Sequence, residues 1–428
     1  MKILIENSGY SLENMGDFAM LEVAITRLKK IWPESQIKVF TNNPHRLKEL
    51  CSIVEPIDTT NEPKFHWTSF FPHKIKKASA LINTLETLEN LEWKIPQHFS
   101  NLAQSKIRNT AHRDPTNSSS LNHQFKAVQE ADLVISSGGG YITDTFPRKV
   151  ERTLSILNLA VSLGKPTVML GHGMGPIQDK QTRVRAGIVL PKVSFISLRE
   201  SRKSLPLLDS LGVSRNCIKT TGDDAIELAY QNRNVEYGHG IGVNLRIARY
   251  SDIEPGFISS VRKALQTVAK QKEAPLYPVP ICHHPNESDP KAIQTLLAGY
   301  DDSSDGGQSL NTPLKIVKQA GRCRVVVTGS YHAGVFSLSQ GVPVVALAKS
   351  TYYQDKFLGL AEQFGIGCQV VFLNDPALES NLQVAIEKAW DSIDTVRPEL
   401  LNAAKRQIDQ GHEAYQQVHR LFENSLHK

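Results

Sequence analysis

His332 is the residue best placed for proton chemistry. It follows Val325-Val326-Val327-Thr328 by way of Gly329-Ser330-Tyr331, and a helical pattern then runs to Gly341. An imidazole holds or releases a proton near neutral pH. The short β-branched run reads as a strand in the middle of a parallel sheet. Gly329 and Ser330 supply a turn and a helix cap, Gly341 ends the helix, and Pro343 opens the next strand. His332 therefore falls in the first turn of a helix, beyond the carboxyl end of a strand. Open α/β sheets bind their ligands there, and a helix amino end offers N–H groups to an anion. A lone histidine is more often structural. The position of this one argues for function.

Other loops carry chemistry of the same kind. Asn14-Met15-Gly16-Asp17 lies between the first strand and the first helix. Asp17 in a first turn is favoured by the helix dipole. It reads as a cap or as a group that binds a sugar or takes a hydroxyl proton, and from position alone the cap stands slightly ahead. Gly138-Gly139-Gly140 lets a backbone approach a bound group, or makes a tight turn. It is not GxGxxG, so a nicotinamide cofactor is disfavoured. Asp144 and Thr145 follow as partners for hydroxyls. In Gly171-His172-Gly173-Met174-Gly175-Pro176, His172 reads equally as a ligand contact and as a packed ring satisfied by backbone. Arg199 ends a strand, where a guanidinium can clamp a carboxylate or phosphate in a bidentate way. The competing reading is an ion pair with the acidic loops. Gly222-Asp223-Asp224-Ala225 puts two acids on that rim, and one of them could pair with Arg199. Asn244 and Arg246 end another strand, and His283, His284 and Asp289 follow the next. Adjacent histidines on a strand cannot both face one metal, and HxH, HxxxH and HExxH are missing, so no metal is expected. GxSxG and the Walker A pattern are missing too.

These loops need strands and helices in alternation to hold them, and the chain reads that way. Apolar runs at 3–5, 36–40, 133–136, 167–170, 194–198 and 218–220 each lead into small or polar residues. Helices are expected at 16–31 and from Arg199-Glu200-Ser201 through Leu211. A second round follows, with strands at 240–244 and 276–279 and helices at 257–270 and 312–321. Such alternation gives parallel sheets covered on both faces. The expected class is α/β, with two doubly wound Rossmann-like domains facing a cleft that holds the site. Residues 1–234 form the first domain, with a partly helical insertion at about 62–122. Residues 235–397 form the second, and residues 398–428 form a helix that packs back.

Bulk properties fit this. A length of 428 residues suggests roughly two or three domains. A hydrophobic fraction of 40% and a charged fraction of 21% belong to a soluble globular chain. The net charge of +6 suits anionic small molecules or an acidic membrane face. Nucleic acid is not an expected partner, because no dense basic and aromatic patch exists. Five scattered cysteines without CxxC argue against a disulfide framework and fit a reducing cytoplasm. No apolar run approaches about 18 residues, so no membrane span is expected. The amino-terminal apolar run is too short for a secretion signal. A cytoplasmic location follows, compatible with the inner face of a membrane.

Taken together, the loops resemble the polysaccharide pyruvyl transferase family. The matching pieces are Asn14-x-Gly16-Asp17-x-Ala19-x-Leu21, Gly138-Gly139-Gly140, Gly171-x-Gly173-x-Gly175-Pro176, Leu198-Arg199-Glu200, Gly222-Asp223-Asp224-Ala225 and Tyr331-His332. They fall in the family's order and span about residues 3–346. Where the family more often has Arg-x-His, this chain has Ser330-Tyr331-His332. The resemblance implies a GT-B-like fold. It also implies transfer of a pyruvyl group from phosphoenolpyruvate to a sugar of a cell-surface polysaccharide or its lipid- or nucleotide-linked precursor, without cofactor or metal. His332 would be the general acid, Asp17 or Asp144 would orient or deprotonate the acceptor hydroxyl, and Arg199, with Arg246 assisting, would hold the donor. Asn14, Gly16, Gly139, Gly140, Asp144, His172, Asp223, Asn244, Arg246, Ser330 and Tyr331 would line the substrate. A GT-B glycosyltransferase using a nucleotide sugar and a catalytically silent sugar-binding protein share this architecture and remain as alternatives.

Overall fold

A computed structural model of the chain describes residues 1–7, 9–60, 115–248, 251 and 255–426. The insertion expected at 62–122 lies outside them up to residue 114. The chain forms two compact units. One comprises residues 1–12, 24–220 and 413–428, and the other comprises residues 13–23 and 221–412.

The first unit is built on seven parallel strands: β1 (Lys2–Glu6), β2 (Gln36–Thr41), β3 (Glu55–Asp58), β4 (Leu133–Ile142), β5 (Thr167–Met174), β6 (Phe195–Leu198) and β7 (Ile218–Thr220). Their order is β3-β2-β1-β4-β5-β6-β7, so the sheet reverses direction of growth between β1 and β4. One face of the sheet carries two adjoining clusters, Leu4, Phe40 and Val134 with Leu159 and Ala160, and Met169 and Ile196 with Leu157 and Leu208. The chain's last residues join this unit, with Arg27 stacked over the Tyr415 ring and Trp32 against His419 and Phe422.

The second unit has five parallel strands: β8 (Gly240–Asn244), β9 (Leu276–Pro278), β10 (Cys323–Thr328), β11 (Val344–Ala348) and β12 (Cys368–Phe372). Their order is β12-β11-β10-β8-β9, and the switch point lies between β8 and β10. The valines of β10 show why an unbroken apolar run suits it. Val326 enters the core that holds Val335 and Phe336, while Val325 and Val327 enter the opposite core with Val261 and Leu265. Successive side chains of a strand point to opposite faces, so a central strand covered by helices on both must be apolar throughout.

Both sheets have the doubly wound Rossmann-like pattern, and the chain is a two-domain α/β protein. No described helix is long and apolar enough to cross a membrane. Several local expectations change. The glycines at 138–140 and 171–173 are not turns but parts of β4 and β5. The backbones pass so closely there that a Cβ on Gly138 would lie 2.6 Å from the Gly171 carbonyl oxygen. The helix expected from Arg199 starts at Ser204, because the Glu200 carboxylate accepts the Lys203 and Ser204 amides and caps it there. The last helix begins at Ile393 and includes Pro398.

Candidate functional site

In the second unit, the helix Tyr331–Leu338 starts two residues after β10, as its sequence requires, and Ser330 sits at its N-cap. His332 therefore projects from the first turn beside the switch point. A hydrogen-bonded series fixes this end of the sheet. Asn244, at the end of β8, donates both amide hydrogens, to the Val279 carbonyl at 3.0 Å and to Asp289 Oδ2 at 2.9 Å. Its Oδ1 accepts from the Thr328 hydroxyl at 3.2 Å, and Thr328 Oγ1 accepts the Ser330 amide at 2.8 Å. Asp289 is wholly buried and also accepts the amides of Ile281 and Cys282. Arg246 pairs with Asp289 at 3.1 Å and with Glu287. Asn244 and Arg246, expected to contact substrate, thus have side chains occupied in holding the ends of β8 and β9.

Two loops converge on His332, which is 6% exposed. The first is 13–16. Its backbone bonds to the chain after β9, with the Met15 amide on Ile281 and the His283 amide on Glu13. The Asn14 side chain accepts the amides of Gly16 at 3.0 Å and Asp17 at 3.1 Å. Asn14 therefore performs the capping expected of Asp17. Asp17 is half-buried in the first turn of the helix Met15–Ile31. Gly16 packs closely against His332. A Cβ at Gly16 would be 2.1 Å from His332 Cγ and 2.2 Å from Nδ1.

The second loop is 221–224, which leads into the helix Ala225–Gln231. Asp223 is 4% exposed, and its Oδ1 accepts the Ala225 amide at 2.9 Å. Its Oδ2 lies 3.5 Å from His332 Nε2, and that nitrogen is enclosed without a hydrogen bond among the described residues. A carboxylate there orients the ring and balances the charge of an imidazolium. On the same helix, the Tyr331 ring meets His332 edge-on at 5.2 Å and lies 5.8 Å from the Lys356 ammonium. The sequence placed Asp223 and His332 on strand ends but gave no sign that they meet.

In the first unit, polar groups gather where β1, β4 and β5 end. Glu6 is the last residue of β1. It is 1% exposed and accepts four hydroxyls: Tyr10 at 2.9 Å, Ser136 at 3.0 Å, Thr153 at 3.0 Å and Tyr141 at 3.2 Å. Burial raises its pKa above the usual carboxylate value, against the opposing pull of Arg152 and the hydroxyls of Tyr10, Thr153 and Ser136. His172 is enclosed within β5. Its Nε2 lies 3.0 Å from the Ser136 carbonyl oxygen, which can only accept, so the proton is on Nε2. Burial first, with the Arg199 charge adding to it, lowers the His172 pKa to about 4. The ring is packed, with Nε2 held by backbone and Nδ1 buried without a hydrogen bond among the described residues.

Arg199 is 2% exposed at the end of β6, and its amide donates to the His172 carbonyl at 3.0 Å. A Cβ on Gly173 would meet Arg199 Nε at 2.6 Å, so glycine makes room for the guanidinium. Gly139 pairs with His172 in the β4–β5 ladder, and Gly140 continues the strand. Asp144 accepts the amides of Gln178 at 2.6 Å and Asp179 at 3.4 Å, which staples that loop.

Comparison with known proteins bears on what these groups do. A family model described as polysaccharide pyruvyl transferase matches residues 14–351. The amylovoran biosynthesis protein AmsJ of Erwinia amylovora is 21% identical over 268 residues, which cover 56% of this chain and 61% of that protein. The chain thus spans less than two thirds of this relative. Among solved structures, a putative UDP-N-acetylglucosamine 2-epimerase from Listeria monocytogenes is similar with a TM-score of 0.57 at 12% identity, covering 100% of this chain and 96% of that one. The UDP-GlcNAc 2-epimerase from Methanocaldococcus jannaschii has a TM-score of 0.55 at 11% identity, with coverage of 98% and 99%. A UDP-glucose: anthocyanidin 3-O-glucosyltransferase has a TM-score of 0.51 at 11% identity, with coverage of 99% for each chain. At such identities these structures establish the fold class alone. The family match is of another kind, because it takes in the loops of Asn14, Asp223 and His332 in one continuous span: the chain belongs to the polysaccharide pyruvyl transferase family.

Proposed function

We propose that the chain transfers a pyruvyl group from phosphoenolpyruvate to a sugar of a polysaccharide or its precursor, forming a cyclic ketal and releasing phosphate. The observation that carries this reading is the pairing of His332 with Asp223 at the switch point of the second unit, inside the family match. The reaction needs a proton on the methylene carbon of the donor as a sugar hydroxyl attacks the adjacent carbon. His332 supplies that proton, with Asp223 holding the ring. Asp17 takes the proton of the attacking hydroxyl, a role left to it because Asn14 does the capping. The bond from carbon to the phosphate oxygen then breaks and its electron pair leaves with phosphate. A second sugar hydroxyl bonds to the same carbon and gives up its proton, which closes the ring. Arg199 is retained as the group that holds the donor's carboxylate or phosphate. The relative's part in amylovoran biosynthesis supports a polysaccharide as the product's setting.

Incubation with phosphoenolpyruvate and lipid- or nucleotide-linked sugars tests this. Phosphate release with gain of a pyruvyl mass on the sugar is expected, and phosphoenolpyruvate is expected to raise the melting temperature more than nucleoside diphosphates do. Stabilisation by nucleoside diphosphates alone, with no phosphate release, would favour nucleotide-sugar transfer instead.

A further inference from the structure

The helix Ile393–Leu426 lies beyond the residues matched by the family. Its side chains Val396, Leu400, Ala403, Ala404 and Ile408 enter the core that also holds Ala225, Ile226 and Val335. Gln407 stands among them, polar yet 5% exposed. Its Nε2 donates only a long bond, 3.3 Å, to the Ala403 carbonyl, and its Oε1 is buried without a hydrogen bond among the described residues. A buried amide oxygen of this kind is uncommon and costs stability, so its placement needs a reason.

The reason lies at Gly222. The backbone there has φ +83°, and a Cβ would lie 2.3 Å from Gln407 Oε1 and 3.0 Å from Gln407 Cβ and Cδ. Gln407 is therefore wedged against the peptide just before Asp223. On the other side, the Ala225 amide holds Asp223 Oδ1 at 2.9 Å. Fixed from both directions, the carboxylate turns Oδ2 towards His332 Nε2.

We infer that Gln407 is a positioning residue, which sets the Asp223–His332 pair by packing against Gly222. The inference rests on the proton-donor role of His332 and extends the site to a helix outside the family span. The contact is steric, so a methionine of similar length should serve and an alanine should not.

The test compares Gln407→Ala and Gln407→Met with the unaltered chain, using nitrogen NMR of the His332 imidazole, melting, and kcat and KM for phosphoenolpyruvate in phosphate release. Gln407→Ala should lower kcat about tenfold, a small share of what an ångström of misplacement can cost, while KM stays unchanged. It should shift the imidazole resonances in the direction that Asp223→Asn shifts them. Gln407→Met should rescue both and, lacking the orphaned amide, melt no lower than the unaltered chain. Unaltered resonances and kcat in Gln407→Ala, whatever its melting temperature, would overturn the inference, as would Gln407→Met behaving like the alanine variant. If the alanine variant does not fold, Gln407→Asn, shorter by one methylene, takes its place: a lowered kcat with shifted imidazole resonances is expected, and unaltered values would overturn the inference. The NMR arm needs no substrate, so an absence of phosphate release from the unaltered chain would count against the donor assignment and leave the positioning role to stand or fall on the resonances.

Discussion

Gly16→Ala sets two effects of opposite sign against each other. Glycine within a helix normally costs about 0.5–1 kcal/mol relative to alanine, so the substitution should stabilise. The helix Met15–Ile31 includes Gly16, but the new Cβ would sit 2.1 Å from His332 Cγ and 2.4 Å from His332 Cβ. Ordinary carbon contacts are about 3.5–4.0 Å, so the ring or the helix start must give way by more than an ångström. Overpacking of this size costs about 1–3 kcal/mol, which outweighs the helix gain and leaves a net loss of about 1–2 kcal/mol. The kinetic effect should be larger than the stability effect, because displacement by about 1 Å can lower a rate by roughly 100-fold. Gly187 provides the control. It lies in the helix Lys180–Val189, and its Cβ would meet only Leu211 Cδ2 at 3.8 Å. Gly187→Ala should therefore raise stability by about 0.5–1 kcal/mol and leave kcat unchanged. Urea unfolding and phosphate release measured on both variants give the comparison. A Gly16→Ala protein as stable as Gly187→Ala, with unaltered kcat, would refute the packing of His332 on Gly16 and its importance for turnover.

Other outcomes follow from the same geometry. Asp223→Asn should lower kcat by about 100-fold while phosphoenolpyruvate still binds, as measured by calorimetry, because the ring loses its charge partner but keeps its place. The folded-state pKa of His172 is lowered from 6.5 to about 4, so the unfolded chain takes up a proton first as pH falls. Stability linked to it is full above pH 6.5 and is lost progressively down to about pH 4; by pH 5 the loss is about 2 kcal/mol. Urea unfolding of His172→Gln at pH 7.5 and pH 5 should show a smaller acid loss by that amount. Asp289→Ala should cost about 3–5 kcal/mol in the same measurement, since it strips a buried partner from Arg246 and from Asn244.

The strand, turn and helix around His332 were legible because each signal there is local: a β-branched run, small turn residues, and a glycine, Gly341, at φ +78° past the helix end. The alternating pattern gave the fold class for the same reason. The glycines of β4 and β5 misled because what they do is not local. They lack side chains so that two strands distant in sequence can approach, as Gly138 does to the Gly171 carbonyl. Similarly, a histidine in a glycine-rich run gives no sign of its burial, and His172 showed its role only through the Ser136 carbonyl and the enclosing β4. The meeting of Asp223 with His332 depends on how the helices Ala225–Gln231 and Tyr331–Leu338 pack, through Ile226 and Phe336 among others. No spacing in the chain encodes that meeting. Gln407 was invisible for a related reason, since a glutamine in an amphipathic tail reads as surface.

The central claim is that His332 protonates the methylene carbon of phosphoenolpyruvate as the sugar adds. Turnover in deuterated water, followed by mass spectrometry of the pyruvylated sugar, tests it most directly. The account predicts one deuterium in the ketal methyl group, released phosphate equal to the ketal formed, and loss of both in His332→Asn. A ketal methyl without solvent deuterium, or an undiminished rate in His332→Asn, would contradict it.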